Sequence, residues 1–229
     1  MKKLLLSISF LFISMLNYSQ NSNIKFGIQA GLNYSTFLGY DVPAAFDPVY
    51  SESPAFAFLG GINLEYQIKE KWSLKMELNY ERKSQKADNN MEFVDMNGDA
   101  YGAYHFTSKK NYDYLVLPIM VKYCFSENNS FYLNGGPFIG YLLNSNVTND
   151  LEDIEGINNE PVETTNLNNK TDFGLSIGLG KIIEINEKGS IFIEIRENLG
   201  LTNTSKKKVW GNGEAKSNAL NLIIGYSLN

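Results

Sequence analysis

Lys75, Glu77 and Glu81 stand two and four residues apart, and Glu194 and Arg196 stand two apart. On an extended chain, where side chains alternate with a period of two, such spacing puts each set on one face. Glu65 and Lys122 fall on the matching face of their own segments by the same parity. Charges of both signs gathered on the inner face of a β-structure have two uses. They can pair into a solid ionic plug, because a lone buried charge is expensive, or they can line a proton or ion path. The plug is the favoured reading, since the interior of a small barrel is just wide enough for side chains to fill it. Arg196 against Glu77 or Glu194 is the expected central pairing.

Other chemistry is thinly represented. Asp95-Met96-Asn97-Gly98-Asp99 has the alternating oxygens of a calcium loop, but no glutamate stands where a closing bidentate ligand belongs, so an Asn-Gly turn is expected. Asp150, Glu152, Asp153, Glu155, Glu160 and Glu163 read as a solvated acidic loop. His105 is the sole histidine and has no nucleophile motif around it; zinc spacing and phosphate-cradling glycine loops are missing too. A non-enzymatic protein without cofactor or metal is therefore expected. Cys124 is the only cysteine, so no internal disulfide is available. The formal charge is −5 and the one basic run is Lys206-Lys207-Lys208, which excludes nucleic acid as an expected partner.

The elements that must position these residues are strands. After residue 22 helical spacing is hard to find, whereas apolar residues alternate with polar or small ones in eight segments. In residues 24–35, Phe26, Ile28, Ala30, Leu32 and Tyr34 oppose Lys25, Gly27, Gln29, Gly31 and Asn33. Residues 54–67 set Phe56, Phe58, Ile62, Leu64 and Tyr66 against Gly61, Asn63 and Glu65, and residues 72–83 set Trp72, Leu74, Met76, Leu78 and Tyr80 against the charges named above. Residues 115–123, 131–141, 173–180, 191–196 and 217–228 repeat the pattern. Pro118 and Pro137 fall inside two of these segments, where the missing ladder donor should force a bulge or a local break.

Connections alternate as well. Residues 68–71, 126–129 and 186–189 are tight turns, while 36–53, 84–110, 144–170 and 201–216 are long loops rich in Asn, Asp, Gly, Ser and Lys. An up-and-down barrel collects all the tight turns at one end and all the long loops at the other, the asymmetry of short periplasmic turns and long extracellular loops. The fold expected is all-β, an eight-stranded antiparallel up-and-down transmembrane β-barrel in the outer membrane of a Gram-negative bacterium. Lys2 and Lys3 precede an apolar run over residues 4–16 and a small polar stretch, which reads as a signal peptide over residues 1–19 and leaves residues 20–229 as one barrel domain. Losing those two lysines takes the formal charge from −5 to −7.

Bulk decides which face meets lipid. The apolar face holds more aromatic volume than an eight-stranded interior accommodates, while Gly27, Gly31, Gly136, Gly140, Gly174, Gly178 and Gly180 crowd the other, where small residues suit tight curvature around a filled interior. Aromatics gather near strand ends: Tyr34, Tyr80, Tyr141 and Phe173 toward the long loops, Tyr66, Trp72, Tyr123, Phe131 and Tyr226 toward the turns. Two interfacial girdles against outer-membrane lipid are expected. The mean hydropathy of −0.24 does not oppose this, because a barrel needs apolar residues only at alternate positions.

Several segments resemble the PorT-like family of outer-membrane β-barrels. Residues 114–123, Tyr-Leu-Val-Leu-Pro-Ile-Met-Val-Lys-Tyr, are similar to its Tyr-Leu-acidic-aliphatic-Pro pattern ending in Lys, with Val116 in place of the acidic residue. Residues 132–141 resemble its fifth strand, 172–175 the start of its sixth, and 194–196 with 200–203 its seventh strand and exit. The resemblance implies the barrel and its location, and a possible link to protein secretion. The function expected is a barrel whose extracellular loops or periplasmic end bind a partner, such as envelope or secretion-machinery proteins, supporting secretion or envelope integrity. A narrow ion or solute pore is the alternative, and a loop-based surface enzyme a weaker one.

Overall fold

The computed structural model describes residues 23–39, 50–94, 100–125, 130–150, 160–186, 189–208 and 213–228; the expected signal peptide, the 126–129 turn and the 95–99 segment lie outside them. The elements are β1 (Ile24–Leu38), β2 (Tyr50–Lys69), β3 (Trp72–Val94), β4 (Ala100–Cys124), β5 (Phe131–Asp150), the two-residue β6 (Val162–Glu163), β7 (Thr171–Asn186), β8 (Gly189–Gly200) and β9 (Lys216–Leu228). Each long strand pairs antiparallel with its neighbours in the order β4-β3-β2-β1-β9-β8-β7-β5, and β5 pairs back to β4, giving a ring of eight. The chain's first and last strands meet from Phe26↔Leu228 to Leu38↔Lys216, so the wall has no open edge. β6 lies against β5 at Asn146 and Val147, above the stretch that pairs with β7.

The wall is inverted relative to a water-soluble protein. Ile28, Leu32, Phe56, Phe58, Leu175, Ile177, Ile195, Leu222 and Ile224 are exposed on its outside, while Gln29, Asn33, Lys75, Glu77, Glu194 and Arg196 are buried inside. Backbone groups are satisfied strand to strand around the ring, which is what a structure in hydrocarbon needs. No described helix is long and apolar enough to cross a membrane; crossing falls to the strands.

The interior also contains large rings that alternation did not assign to it. Phe138, Tyr132 and Phe192 are buried, and each stands directly opposite a glycine: Phe138↔Gly174, Tyr132↔Gly180 and Phe192↔Gly225. A Cβ on any of these glycines would collide with the facing ring. The missing side chain is thus the space into which the neighbouring aromatic folds, one way a narrow barrel is filled without voids.

Proline acts differently at its two expected sites. Around Pro118 the ladder is interrupted on both sides, between Met76↔Ile119 and Asn79↔Val116 and between Pro118↔Phe138 and Val121↔Gly135, yet register is unchanged across each gap. This is a break without a bulge. Pro137 keeps its place against Leu175 in an unbroken β5–β7 ladder, while on its other side it stands, with Gly136, in that same gap between β4 and β5. A one-residue bulge occurs instead in β2 between Pro54 and Leu59. It deprives the Ser84 backbone of its ladder partner, and the Ser35 hydroxyl takes over, accepting from Ser84 N–H at 2.6 Å and donating to Ser84 C=O at 3.0 Å.

The long loops are more regular than the sequence suggested. Residues 84–94 and 100–110 continue β3 and β4 as paired strands up to Val94↔Ala100, β2 follows to Tyr50↔Asn89, and β5 to Thr107↔Asp150. Beyond Tyr80, β3 has 14 more residues to Val94, about 45 Å of strand standing past the apolar band. The sequence Ser84-Gln85-Lys86-Ala87-Asp88-Asn89-Asn90 is polar or small at nearly every position, so apolar alternation, the signal that marks the other strands, vanishes there. Residues 144–170 likewise hold the end of β5, β6 and a 3-10 turn at Thr165–Leu167, and an isolated bridge Asn168↔Ser205 ties them to the last long loop.

Candidate functional site

β3 and β8 are not neighbours in the ring, and their inward side chains meet across its middle. Arg196 donates to Glu77 through Nη1 to Oε2 at 2.6 Å and Nη2 to Oε1 at 2.7 Å, and through Nε to Glu194 Oε1. Lys75 lies 2.8 Å from Glu77 Oε1 and 3.4 Å from Glu194 Oε2. These four side chains are at most 3% exposed. Neutral groups take up the remaining lone pairs: Gln29 and Asn79 donate to Glu77, and Tyr132 and Asn134 donate to Glu194. A bidentate guanidinium–carboxylate pair with every remaining acceptor engaged is the arrangement in which buried charge is tolerable.

Further layers lie above and below. Toward the long hairpins, Lys83 donates to Asp172 at 3.1 Å and to Ser217 at 2.8 Å, beneath a cluster of Phe37, Tyr112, Tyr114, Val116, Phe138 and Leu142. Glu81, between that layer and the centre, is held only by amides: Asn33 at 3.0 Å and Asn198 at 3.3 Å, with no ion pair among the described residues. Toward the short turns, Lys122 pairs with Glu65 at 2.7 Å over the Tyr132 ring, and Lys75 sits 4.5 Å above the Phe192 ring. Here the lumen opens into a cavity of about 310 Å³ lined by Lys25, Glu65, Lys75, Lys122, the buried free Cys124, Tyr132 and Phe192.

All seven charged residues singled out from the sequence, Glu65, Lys75, Glu77, Glu81, Lys122, Glu194 and Arg196, therefore point inward. Six join in ion pairs, while Glu81 does not. Sequence reasoning missed Lys83 and Asp172, although Lys83 shares the parity of Lys75, Glu77 and Glu81. The amides Gln29, Asn33 and Asn221 lie on the polar face where alternation put them, but that reading gave them no part in holding the charges, and it did not single out Asn134 or Asn198, which are also buried on the inner wall. The aromatics Tyr34, Tyr66, Trp72, Tyr80, Tyr123, Phe131, Tyr141, Phe173 and Tyr226 lie on the outer face, exposed or half-buried. Two groups of contacts mark its rims: Tyr34–Phe56 at 4.7 Å and Phe58–Tyr80 at 5.7 Å at the hairpin end, Trp72–Tyr123 at 4.6 Å and Phe125–Phe131 at 6.3 Å at the turn end.

One pair stands just past the upper rim. Arg82 donates to Asp113 through Nε at 2.6 Å and Nη2 at 2.9 Å, and its guanidinium lies 5.7 Å from the Phe58 ring. Burial pushes the Asp113 carboxyl up, but hydrogen bonds from Arg82 and Tyr80 outweigh it and hold the group below the usual aspartate range. His105 is exposed on the hairpin with Nδ1 2.6 Å from Asn90 Oδ1. No cluster of three or more His, Cys, Asp or Glu suited to a metal exists among the described residues.

A family model described as outer membrane protein beta-barrel domain matches residues 18–206. Among solved structures, the backbone is similar to that of Neisserial surface protein A, at 11% identity over 90% of this chain and 97% of that one, with a TM-score of 0.47. It is similar to Ail, the attachment invasion locus protein of Yersinia pestis, at 12% identity over 89% and 97%, with a TM-score of 0.38. It is also similar to the outer membrane protein OprG of Pseudomonas aeruginosa, at 13% identity over 91% and 96%, with a TM-score of 0.42. No curated protein matches the sequence.

Proposed function

Since the chain belongs to the family of outer membrane protein beta-barrel domains, we propose that it works as a sealed, non-enzymatic barrel that anchors a binding element at the surface of a Gram-negative cell. The observation that carries this reading is the filled lumen. Arg196, Glu77, Glu194 and Lys75 meet across the middle of the barrel at hydrogen-bonding distance and exclude water, with aromatic layers on both sides. A permeant ion would have to replace several charge-assisted bonds at once, which argues against the narrow pore. His105 is bonded to the Asn90 amide, which is no nucleophile and no acid, so the contact it makes among the described residues gives a surface enzyme no support.

What the barrel presents is the paired extension of β2, β3, β4 and β5. Orientation follows from the turn lengths, short ones in the periplasm and long ones outside. The resemblance of residues 114–123 and 132–141 to the PorT-like pattern supports a partner in the envelope or its secretion machinery, and residues 1–19 would supply the export leader. Crosslinking mass spectrometry in intact cells tests the reading, comparing wild type with a chain lacking residues 88–107. A partner crosslinked to the wild type and lost from the shortened chain is expected, together with no steady current in planar bilayers. Stable single-channel conductance by the wild-type protein overturns it.

A further inference from the structure

Lys86 on β3 and Lys109 on β4 are direct cross-strand partners on the outer face. Side chains in such a position are roughly 5 Å apart at Cβ, and like charges there repel. The pair is not neutralised by its surroundings among the described residues. The Asp88 carboxylate, next along the same face, accepts from Thr107 at 2.7 Å, and Asp113 is engaged by Arg82. Lys86 is exposed and takes part in no ion pair among the described residues. Lys109 turns down toward the membrane, where its Nζ donates to the Phe56 carbonyl at 3.3 Å, an acceptor in the stretch of β2 that the bulge removes from the β2–β3 ladder. Phe56 itself belongs to the upper aromatic rim. Two lysines are thus cross-strand neighbours on the outer face just above the apolar band, the level at which lipid headgroups lie.

We infer that Lys86 and Lys109 form a site for the phosphate of a lipid headgroup in the outer leaflet, whose acyl chains lie along Phe56, Phe58 and Tyr80. A phosphate oxygen between two ammonium groups supplies the negative charge whose absence makes the pairing unfavourable, and the rings below give the attached chains an apolar wall. Burial and the neighbouring Lys86 and Arg82 charges hold the Lys109 ammonium below the usual lysine range, the signature of a cation short of counter-charge. The aromatic rim and the cations occupy adjacent heights on β2, β3 and β4, so one lipid molecule can engage both. Arg82 flanks the site but is committed to Asp113.

Native mass spectrometry on the full chain refolded in detergent, with phosphatidic acid added, tests the site. Lys86→Gln is the informative variant, because Lys86 makes no side-chain bond among the described residues and the barrel's heat-dependent gel migration should be unchanged. The wild type should retain phosphatidic acid in preference to oleate, an anionic lipid without phosphate, and retention should fall about fivefold for Lys86→Gln and about 25-fold for Lys86→Gln with Lys109→Gln. Equal retention by wild type and both variants overturns the proposal. So does displacement of the bound lipid by inorganic phosphate at millimolar concentration, which would assign the site to free phosphate. Loss of the barrel's gel shift in detergent would be a separate failure, that of the barrel reading itself.

Discussion

Arg196 grips both carboxylate oxygens of Glu77 across the lumen, from β8 to β3, strands separated in the ring by β9, β1 and β2. Removing one member leaves a buried charge without its counter-ion, so Arg196→Met is expected to destabilise the folded barrel by about 3–5 kcal/mol. Replacing both, Glu77→Met with Arg196→Met, should recover much of that loss, because neither charge then needs solvation. Urea unfolding in detergent micelles, followed by tryptophan fluorescence, checks the order of the two midpoints. If the double variant is no more stable than the single, the two groups are not coupled.

Glu81 should behave in the opposite way. Among the described residues its carboxylate meets only the Asn33 and Asn198 amides, and the Asn33 Oδ1 nearby has no hydrogen-bond partner. A glutamine there keeps the shape and drops a buried charge; its N–H group takes the place of one acceptor, so the asparagine beside it has to turn its own amide oxygen toward the new donor. Glu81→Gln is expected to change stability by no more than about 1 kcal/mol, and in the stabilising direction, against the large loss for Glu77→Gln. The same unfolding experiment ranks the two glutamate variants.

Gly180 is expected to resist even alanine. The new methyl would strike the ring and hydroxyl of Tyr132, which also donates to Glu194, so the clash reaches the central ion pairs. A loss of about 1–3 kcal/mol is expected from this overpacking. A double-mutant cycle identifies the cause: with Tyr132→Leu in the background, Gly180→Ala should have almost no effect. A penalty that persists without the ring would point to backbone strain instead.

Acid should loosen the base of the outer hairpin. The Asp113 carboxyl sits below its ordinary range when folded, so the chain gains stability at pH values above the unfolded group's range and loses it as pH falls through the depressed folded value. Wild type and Asp113→Asn should therefore differ in melting temperature at about pH 7 and converge only at acid pH below the depressed folded range, as the aspartate takes up its proton. Circular dichroism melts across that range provide the comparison; a gap that stays constant with pH would show that the charge on Asp113 contributes nothing.

The ring of strands was legible because one face of every segment had to be apolar: Trp72, Leu74, Met76 and Leu78 face outward at alternate positions, and Lys75 and Glu77 between them face inward. The same rule misleads inside the lumen. Phe138, Tyr132 and Phe192 are apolar rings on the inner face, and what permits them is a glycine on the adjacent strand, a fact of register rather than of any single segment. Which carboxylate meets Arg196 is likewise undetermined by parity, because Glu77 arrives from across the barrel and Glu194 from two residues away. The arms over residues 84–94 and 100–110 read as loop since the polar run Ser84-Gln85-Lys86-Ala87-Asp88-Asn89-Asn90 carries no apolar alternation, and the bulge in β2 is a matter of pairing with β3 that Pro54 alone does not announce.

The pairing of β1 with β9 sets the order in which the molecule can be completed. Asn33 and Asn221 hydrogen-bond across that seam although 188 residues of chain separate them. Until β9 is in place, β1 and β8 each carry a full row of unsatisfied ladder groups and an apolar flank, an invitation to stick to another unfinished chain. Contacts so distant in sequence form late and slowly. A nascent copy therefore has to be kept from its siblings in the periplasm, and a copy that loses its last strand becomes an adhesive sheet rather than a smaller barrel.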